Sequence, residues 1–117
     1  MNWESGNLLH IHIAHKASSK MIELEEADLV AGKGIVNDRY YSETGTYSSK
    51  PDIRDITLIE NEVLEALAAN QPPLQEKPII LKPIEHRRNL TTSGVPLNYL
   101  VGKRFKVGEV ILKGGRL

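Results

Sequence analysis

Hydrophobic and polar residues alternate along residues 8–14, near the start of the chain. A period of two is that of a β-strand, in which successive side chains point to opposite faces. The pattern places three apolar side chains on the buried face: Leu9, Ile11 and Ile13. His10 and His12 share the other face, with His15 just beyond, and we expect that face to be half exposed.

Short apolar runs separated by turn residues continue the pattern. Residues 21–24 predict a second short strand. Gly32 and Gly34, on either side of Lys33, predict a tight turn or a bulge between short strands. Residues 79–81 form an apolar run that predicts a short buried strand.

Residues 53–70 have the 3.6-residue period of an amphipathic helix. The predicted apolar stripe of this helix has four members: Ile59, Val63, Ala66 and Leu67. Thr57 and Glu60 have the spacing of a capping box, in which the two side chains satisfy backbone donors of the first turn. Asn70 and the following Pro72-Pro73 pair predict the end of the helix.

The last third of the chain predicts a strand over residues 85–92 that ends at a Ser93-Gly94 turn. Arg87 and Arg88 are neighbours on this strand, so their side chains are expected on opposite faces. His86 and Arg88 would then share a face. Only one of the two arginines can readily face a pocket.

Residues 96–101 predict a short helix with proline in its first turn, and residues 105–112 predict a hairpin that turns near Gly108-Glu109. Several small strands separated by glycine and proline turns, with one clear helix and one short helix, are typical of a small barrel-like domain. The predicted fold class is therefore mainly β (α+β).

Length and composition restrict the function. The 117 residues correspond to a single domain, residues 1–117, and the 15 basic and 15 acidic residues balance. No whole-chain field would attract nucleic acid or a membrane, and neither is an expected partner. The chain has no apparent signal peptide and no apolar run long enough for a membrane span, so a cytoplasmic protein is expected. The absence of cysteine excludes disulfides, thiolate metal sites and thiol catalysis in these residues.

The basic residues are concentrated toward the C-terminus. From Lys77 onward the chain has nine basic residues and only two acidic ones, Glu85 and Glu109. Such an excess of basic residues suits an anionic ligand, although solvent-exposed strand faces often show the same excess.

Two histidines spaced two apart on a strand, His10 and His12, can bind one metal ion, and His15 is a conceivable third ligand. No acidic residue lies nearby in sequence to orient them. We therefore interpret them as polar-face histidines and expect no metal site. A metal-dependent hydrolase that uses His10, His12 and His86 remains an alternative.

Three blocks in order, GIVNDRYY, DITLIENEVLEAL and RRNLTTSGVPLNYLVGKRFKVGEVILKGGRL, resemble the MOSC domain, named for the C-terminal part of molybdenum-cofactor sulfurases. The resemblance extends from about Met21 to the end of the chain. It implies a mostly β, barrel-like fold associated with molybdenum cofactor handling, sulfur transfer and pyridoxal phosphate binding. Asn37 stands where the family usually has glycine, and asparagine also tolerates a positive φ.

The family normally continues beyond the Gly-Gly-Arg-Leu end into a cysteine that is proposed to carry sulfur or to ligate molybdenum. This chain stops at Leu117. We expect either that the C-terminal segment of the domain is missing or that this is a naturally shortened member. In both cases the thiol of the family is absent, so no catalytic residue is assigned and enzyme activity is left open.

The resemblance and the residue chemistry together predict a binding site for an anionic, phosphate-bearing cofactor or ligand. The suspected cofactors are the molybdenum cofactor and pyridoxal phosphate. Arg39 and Arg88 would hold phosphate oxygens in bidentate forks, because guanidinium geometry matches them. The other predicted binding residues would orient an arginine or add hydrogen bonds to the ligand, and the hydrogen bond from His86 would be pH-sensitive. These residues are Asp38, His86, Asn89 and Thr91.

Two alternatives to this site are open. Asp38 and Arg88 can instead form a structural pair that stabilises the barrel without any ligand. The domain can also be an interaction module that docks a partner protein or a second copy of itself, because an open barrel leaves unpaired strand edges.

Overall fold

The computed structural model describes residues 6–44, 55–70, 77–82 and 84–115. These residues contain eight strands, one α-helix and one 3₁₀ helix, in the order β1 (Asn7–Ile13), β2 (Ile22–Leu24), β3 (Leu29–Val30), β4 (Gly34–Ile35), β5 (Leu58–Glu60), α1 (Asn61–Ala69), β6 (Leu90–Ser93), the 3₁₀ helix (Leu97–Leu100), β7 (Arg104–Val107) and β8 (Val110–Lys113). The prediction of a mainly β fold with one clear helix and one short helix is confirmed. Among the described residues, no helix is long and apolar enough to cross a membrane.

The strands form one sheet of four and two sheets of two. The four-stranded sheet has the order β2-β1-β6-β5, in which β1 is antiparallel to both of its neighbours and β5 is parallel to β6. The two smaller sheets are the antiparallel pairs β3–β4 and β7–β8. The predicted turn at Lys33 and the predicted hairpin at Gly108-Glu109 are both confirmed.

A small apolar core lies against one face of the four-stranded sheet. Ile13 of β1, Ile35 of β4 and Leu90 of β6 are buried at its centre. The side chains around them come from all three sheets and from the adjacent loops: Ile11, Leu24, Ala27, Leu29, Ile56, Leu58, Val107 and Leu112. The core therefore fixes the hairpin β7–β8 and the β3–β4 turn to the main sheet.

The alternation predicted for β1 is not observed, although Ile13 is buried as expected. The register between β1 and β6 shifts between Leu8 and His10, and Leu9 is 42% exposed rather than buried. A β-bulge of this kind interrupts the two-residue alternation of side chains. His12, expected on a half-exposed face, is only 1% exposed. Both faces of the sheet are therefore covered at the C-terminal end of β1.

The predicted helix is shorter than expected. Residues 58–60 form β5, and α1 begins only at Asn61, with Glu60 as an extended N-cap that makes no side-chain capping bond. The predicted capping box does not form, because Thr57 is hydrogen-bonded to Asn89, in another part of the fold. Asn70 ends the helix in the left-handed conformation, as predicted. Residues 53–54 and Pro72-Pro73 lie outside the described residues.

The apolar stripe of the helix is also displaced. Leu64 is the buried residue of α1, whereas Val63 and Ala66 are exposed and Leu67 is half-buried. Ile59, the first predicted member of the stripe, belongs to β5 and not to the helix.

Two strand predictions near the C-terminal third are corrected. Residues 79–81 do not form a strand, and Ile80 is 75% exposed. β6 begins at Leu90 rather than at residue 85, and Arg87 has a φ of 61°, in the left-handed region. Arg87 and Arg88 therefore lie in a loop, where the face alternation of a strand does not apply.

Candidate functional site

Asp38 is a fully buried carboxylate in the turn after β4. Asn37, just before it, has a φ of 71°, the left-handed conformation that asparagine tolerates. Asp38 Oδ1 accepts hydrogen bonds from the backbone N–H of Ala14 at 3.1 Å and from Arg39 Nη1 at 3.2 Å. Its Oδ2 accepts from the backbone N–H of Tyr40 at 3.3 Å. The carboxylate thus joins the end of β1 to this turn.

Arg39 is buried and its guanidinium is directed into the protein. Besides Asp38, Nη2 donates to the backbone carbonyl of Arg87 at 3.0 Å, and Nη1 donates to Met21 Sδ at 3.8 Å. The guanidinium also lies over the ring of Tyr40, 4.7 Å from its centroid. Asp38 is therefore paired with Arg39 and not with Arg88. A phosphate fork from Arg39 would require these contacts to break.

Asn89 is fully buried and cross-links three segments. Its Nδ2 donates to the backbone carbonyl of His12 at 2.9 Å. Its Oδ1 accepts from the backbone N–H of Thr57 at 3.0 Å and from the Thr57 hydroxyl at 3.2 Å. The backbone N–H of Asn89 donates to the same hydroxyl at 3.0 Å. Both the amide nitrogen and the amide oxygen of the side chain therefore have partners in the scaffold.

His86 is 7% exposed and uses both ring nitrogens. Its Nδ1 accepts from the backbone N–H of Arg88 at 2.9 Å, so Nε2 carries the proton of the neutral ring and donates to Thr91 Oγ1 at 2.8 Å. Burial, and then the nearby His12, Arg88 and His10, lower the pKa of His86 to about 4. The ring is therefore neutral near pH 7, and it holds Arg88 and Thr91 in place.

Arg88 is the exposed arginine of this region. Its Nη1 donates to the carbonyl of His86 at 3.1 Å, and it has no ion pair with any residue that the structure describes. The neighbouring Arg87 is half-buried, and its Nη1 donates to the carbonyl of Ser19 at 2.9 Å. Of Arg39, Arg87 and Arg88, only Arg88 is an exposed residue.

Three residues outside the predicted site, His10, His12 and Glu23, lie together where β1 pairs with β2. Glu23 Oε1 lies 2.6 Å from His10 Nδ1 and 3.3 Å from His12 Nε2. The rings of His10 and His12 are stacked, with 5.8 Å between centroids, and His12 lies edge-on to His86 at 6.0 Å. Burial, with a smaller contribution from His10, lowers the pKa of His12, and Glu23 opposes the shift.

The sequence carries a signal for this histidine–glutamate cluster (His10, His12, Glu23 and His86). β2 pairs antiparallel with β1, and His12 lies directly opposite Glu23. Pairing the two predicted strands would have placed an acid beside the histidines, although none lies nearby in sequence. Within the described ranges, however, no three His, Asp or Glu side chains are arranged to hold a metal ion as they stand.

Four of the six predicted site residues thus lie in one loop and the strand that follows it. They are His86, Arg88, Asn89 and Thr91. Asp38 and Arg39 are joined to that loop through the carbonyl of Arg87.

Comparison of the chain with protein-family models, with curated proteins and with solved structures gave no match. The resemblance to the MOSC domain stays a prediction.

Proposed function

We propose that this chain is a MOSC-like domain that binds an anionic, phosphate-bearing cofactor or ligand, and that Arg88 is the residue that contacts the anion. The observation that carries the proposal is an exposed arginine that is held by His86 through its backbone N–H and its Nη1 and that has no carboxylate partner among the described residues. A guanidinium has five N–H donors, and one hydrogen bond to His86 leaves most of them available.

The support for Arg88 comes from the loop around it. Its backbone N–H and its Nη1 are both bonded to His86, which is itself held by Thr91. Fixing a long side chain in advance lowers the entropy that is lost when a ligand binds. Because burial keeps His86 uncharged, its Nδ1 can accept the backbone N–H of Arg88. No positive charge on His86 then repels the guanidinium of Arg88.

Further cations lie on an adjoining loop. The bond from Arg87 to the carbonyl of Ser19 holds the segment after β1 against the loop that carries Arg88. Lys16 and Lys20 are exposed on that segment. The closest acid in sequence, Glu85, uses Oε1 to accept the backbone N–H of Lys82 at 2.9 Å. The Arg87–Ser19 bond thus joins the segment that carries Lys16 and Lys20 to the loop that carries Arg88.

The remaining predicted site residues have supporting roles in this proposal. Asp38, Arg39 and Asn89 are occupied by scaffold contacts, and Thr91 positions His86. The candidate cofactors remain the molybdenum cofactor and pyridoxal phosphate, on the strength of the resemblance. No catalytic step is proposed, because the chain supplies no thiol for sulfur transfer.

The test is a titration with inorganic pyrophosphate and with pyridoxal phosphate, followed by calorimetry and by amide NMR shifts. R88Q is expected to weaken binding at least about tenfold, since a charge-assisted hydrogen bond contributes about 1.5–3 kcal/mol. R104Q, which removes an exposed cation from the distant hairpin β7–β8, is the matched control and should change little. An equal loss in both variants, or no binding by the parent protein, would refute the proposal.

A further inference from the structure

We propose that protonation of the buried His86 ring releases Arg88 from its fixed position, so that acid weakens the binding of an anion at Arg88. The loss of anion binding rests on the function proposed above, whereas the release of Arg88 rests only on the contacts of His86. His86 is thus a positioning residue, which acts on the anion through Arg88.

The contact that changes is the hydrogen bond from the backbone N–H of Arg88 to His86 Nδ1, at 2.9 Å. A neutral imidazole accepts such a bond at one of its nitrogens, whereas a protonated imidazole carries an N–H on both and accepts none. Protonation would therefore set two N–H groups against each other. The bond cannot persist, and we expect the bond from Arg88 Nη1 to the carbonyl of His86, in the same turn, to be lost with it.

The second ring nitrogen limits how the ring can respond. His86 Nε2 lies 2.8 Å from Thr91 Oγ1, and it donates this bond whether the ring is neutral or protonated. Thr91 is fully buried in β6, so it holds the ring on the side of the sheet. Protonation is therefore expected to break the contact with Arg88 and to keep the contact with Thr91.

The residues on either side of Arg88 are held by bonds that do not involve the His86 ring. The carbonyl of Arg87 accepts from Arg39 Nη2 at 3.0 Å. The side chain of Asn89 is bonded to the backbone of β1 and to the segment just before β5. We therefore expect the released part of the loop to be short, with the rest of the fold in place.

The groups around His86 do not stabilise a charged ring. The ring of His12, on β1, lies edge-on at 6.0 Å, and His10 is stacked behind it. Glu23 of β2 contacts these two histidines, and among the described residues no carboxylate is paired with His86. Burial, and then His12, Arg88 and His10, lower the pKa of His86 to about 4. The release of Arg88 therefore occurs in acid.

The direction of the pH effect distinguishes this release from simple attraction between charges. A positive charge on His86 would by itself attract an anion, and binding would become stronger in acid. Loss of the fixed position acts in the opposite direction, because a free Arg88 side chain must be ordered when the anion binds. Arg88 is exposed, so salt screens the attraction, and we expect the loss of order to prevail.

The first test follows backbone amides by NMR as the pH is lowered from neutral through the pKa of His86, about 4. The Arg88 amide should shift and lose protection from hydrogen exchange with the same midpoint as the His86 ring. The amide of Leu90, which donates to the carbonyl of Thr57 at 3.0 Å, is the internal control and should stay protected. If the Arg88 amide stays protected while His86 titrates, or if both amides lose protection together, the proposal is wrong.

Two substitutions separate the hydrogen bond of His86 from its charge. In H86N, the asparagine Oδ1 can accept the backbone N–H two residues later, as in an Asx turn, and it does not titrate. H86A has no acceptor. Both variants lose the bond to Thr91, so the difference between them reports the bond to Arg88. Near neutral pH, H86A should bind inorganic pyrophosphate about threefold to tenfold more weakly than H86N. Equal affinities would contradict the proposal.

The parent chain and H86N are then compared by calorimetry with pyrophosphate as the pH is lowered, which keeps the proposal testable if H86A does not fold. Pyrophosphate itself takes up protons in acid, so the affinity of the parent is divided by that of H86N at each pH. This ratio should fall about twofold at the pKa of His86, where half of the chains have released Arg88. A constant or rising ratio would overturn the proposal.

The failure of the proposed function has a different signature. If the parent chain binds no pyrophosphate near neutral pH, the anion site at Arg88 is refuted, and its regulation by His86 with it. The amide titration then decides the release of Arg88 alone.

Discussion

The guanidinium of Arg39 donates to the carboxylate of Asp38 at 3.2 Å, and both side chains are buried. The carboxylate also accepts the backbone N–H of Ala14, at the end of β1, while the guanidinium donates to the carbonyl of Arg87. A buried ion pair of this kind adds little net stability compared with apolar residues of the same shape. It does fix the relative positions of three segments, and the loop that carries Arg88 is one of them.

Removing the charge of Asp38 should be strongly destabilising. In D38N, Arg39 keeps its burial but loses the opposite charge, and we expect a loss of about 3–5 kcal/mol in the free energy of unfolding. Urea denaturation at neutral pH measures the loss. D28N, at an exposed aspartate, is the control and should change the free energy by less than about 0.5 kcal/mol. Similar values for the two variants would show that the pair has no structural role.

Asn89 should be equally sensitive, for a different reason. N89A removes the bonds to His12 and Thr57 and leaves their buried partners unsatisfied, so we expect a loss of about 3 kcal/mol or more. N61A removes an exposed side-chain bond to Glu65 and should cost less than about 1 kcal/mol. Thermal or urea unfolding compares the two. A small loss in N89A would mean that water replaces these bonds.

The stability of the protein should fall in mild acid because of His86. The pKa of His86 is about 4 in the folded protein, against 6.5 for the ordinary group, so between these values only the unfolded chain binds the proton. Stability is then complete above about pH 6.5 and decreases as the pH falls toward 4, by about 3 kcal/mol from this group. His12, whose pKa is also lowered, acts in the same direction.

Unfolding free energies measured from neutral pH down to about pH 4 test this expectation. H86Q should flatten the dependence, because glutamine does not titrate, and H15Q is the control at an exposed histidine. Protonation of carboxylates contributes in all of these proteins, so the difference in slope is the relevant quantity. Equal slopes in H86Q and H15Q would contradict the assignment.

Two glycines of the β3–β4 hairpin, Gly32 in the turn and Gly34 in β4, differ in what surrounds them. Gly34 has a φ of 109°, and an added Cβ would overlap the backbone carbonyl oxygen of Asp55. Gly32 has a φ of 75°, but an added Cβ would meet nothing within 4 Å. G32A should therefore cost about 1 kcal/mol from backbone strain alone, and G34A about 3 kcal/mol or more. Comparison of their unfolding midpoints tests the difference. Equal costs would show that the segment at Asp55 shifts freely.

Local chemistry was sufficient to predict the turns. The β7–β8 hairpin, the turn at Lys33 and the left-handed end of α1 at Asn70 depend on residues within a few positions of each other. The start of the helix was mispredicted because Thr57 and Glu60 satisfy a local capping pattern. The parallel ladder between β5 and β6 overrides that pattern, and it is formed by residues more than 30 positions apart.

The candidate site was predictable in composition but not in orientation. The sequence indicated Asp38, Arg39 and Arg88 as a group, yet nothing local shows that Arg39 is directed inward while Arg88 remains exposed. The histidine–glutamate cluster was missed because Glu23 lies 11 residues after His12 and becomes its neighbour only through the pairing of β1 with β2. Strand register decides the second case, whereas contacts between distant loops decide the first.

The bonds of Asn89 also bear on how the chain folds. Its side chain binds His12, 77 positions earlier, and Thr57, 32 positions earlier, so these contacts can form only after long loops have closed. Loop closure over such distances loses entropy before any contact compensates for it, and domains rich in distant contacts fold slowly. We expect β1, β5 and β6 to assemble in one late, cooperative step, with the β7–β8 hairpin able to form earlier because its contacts are local.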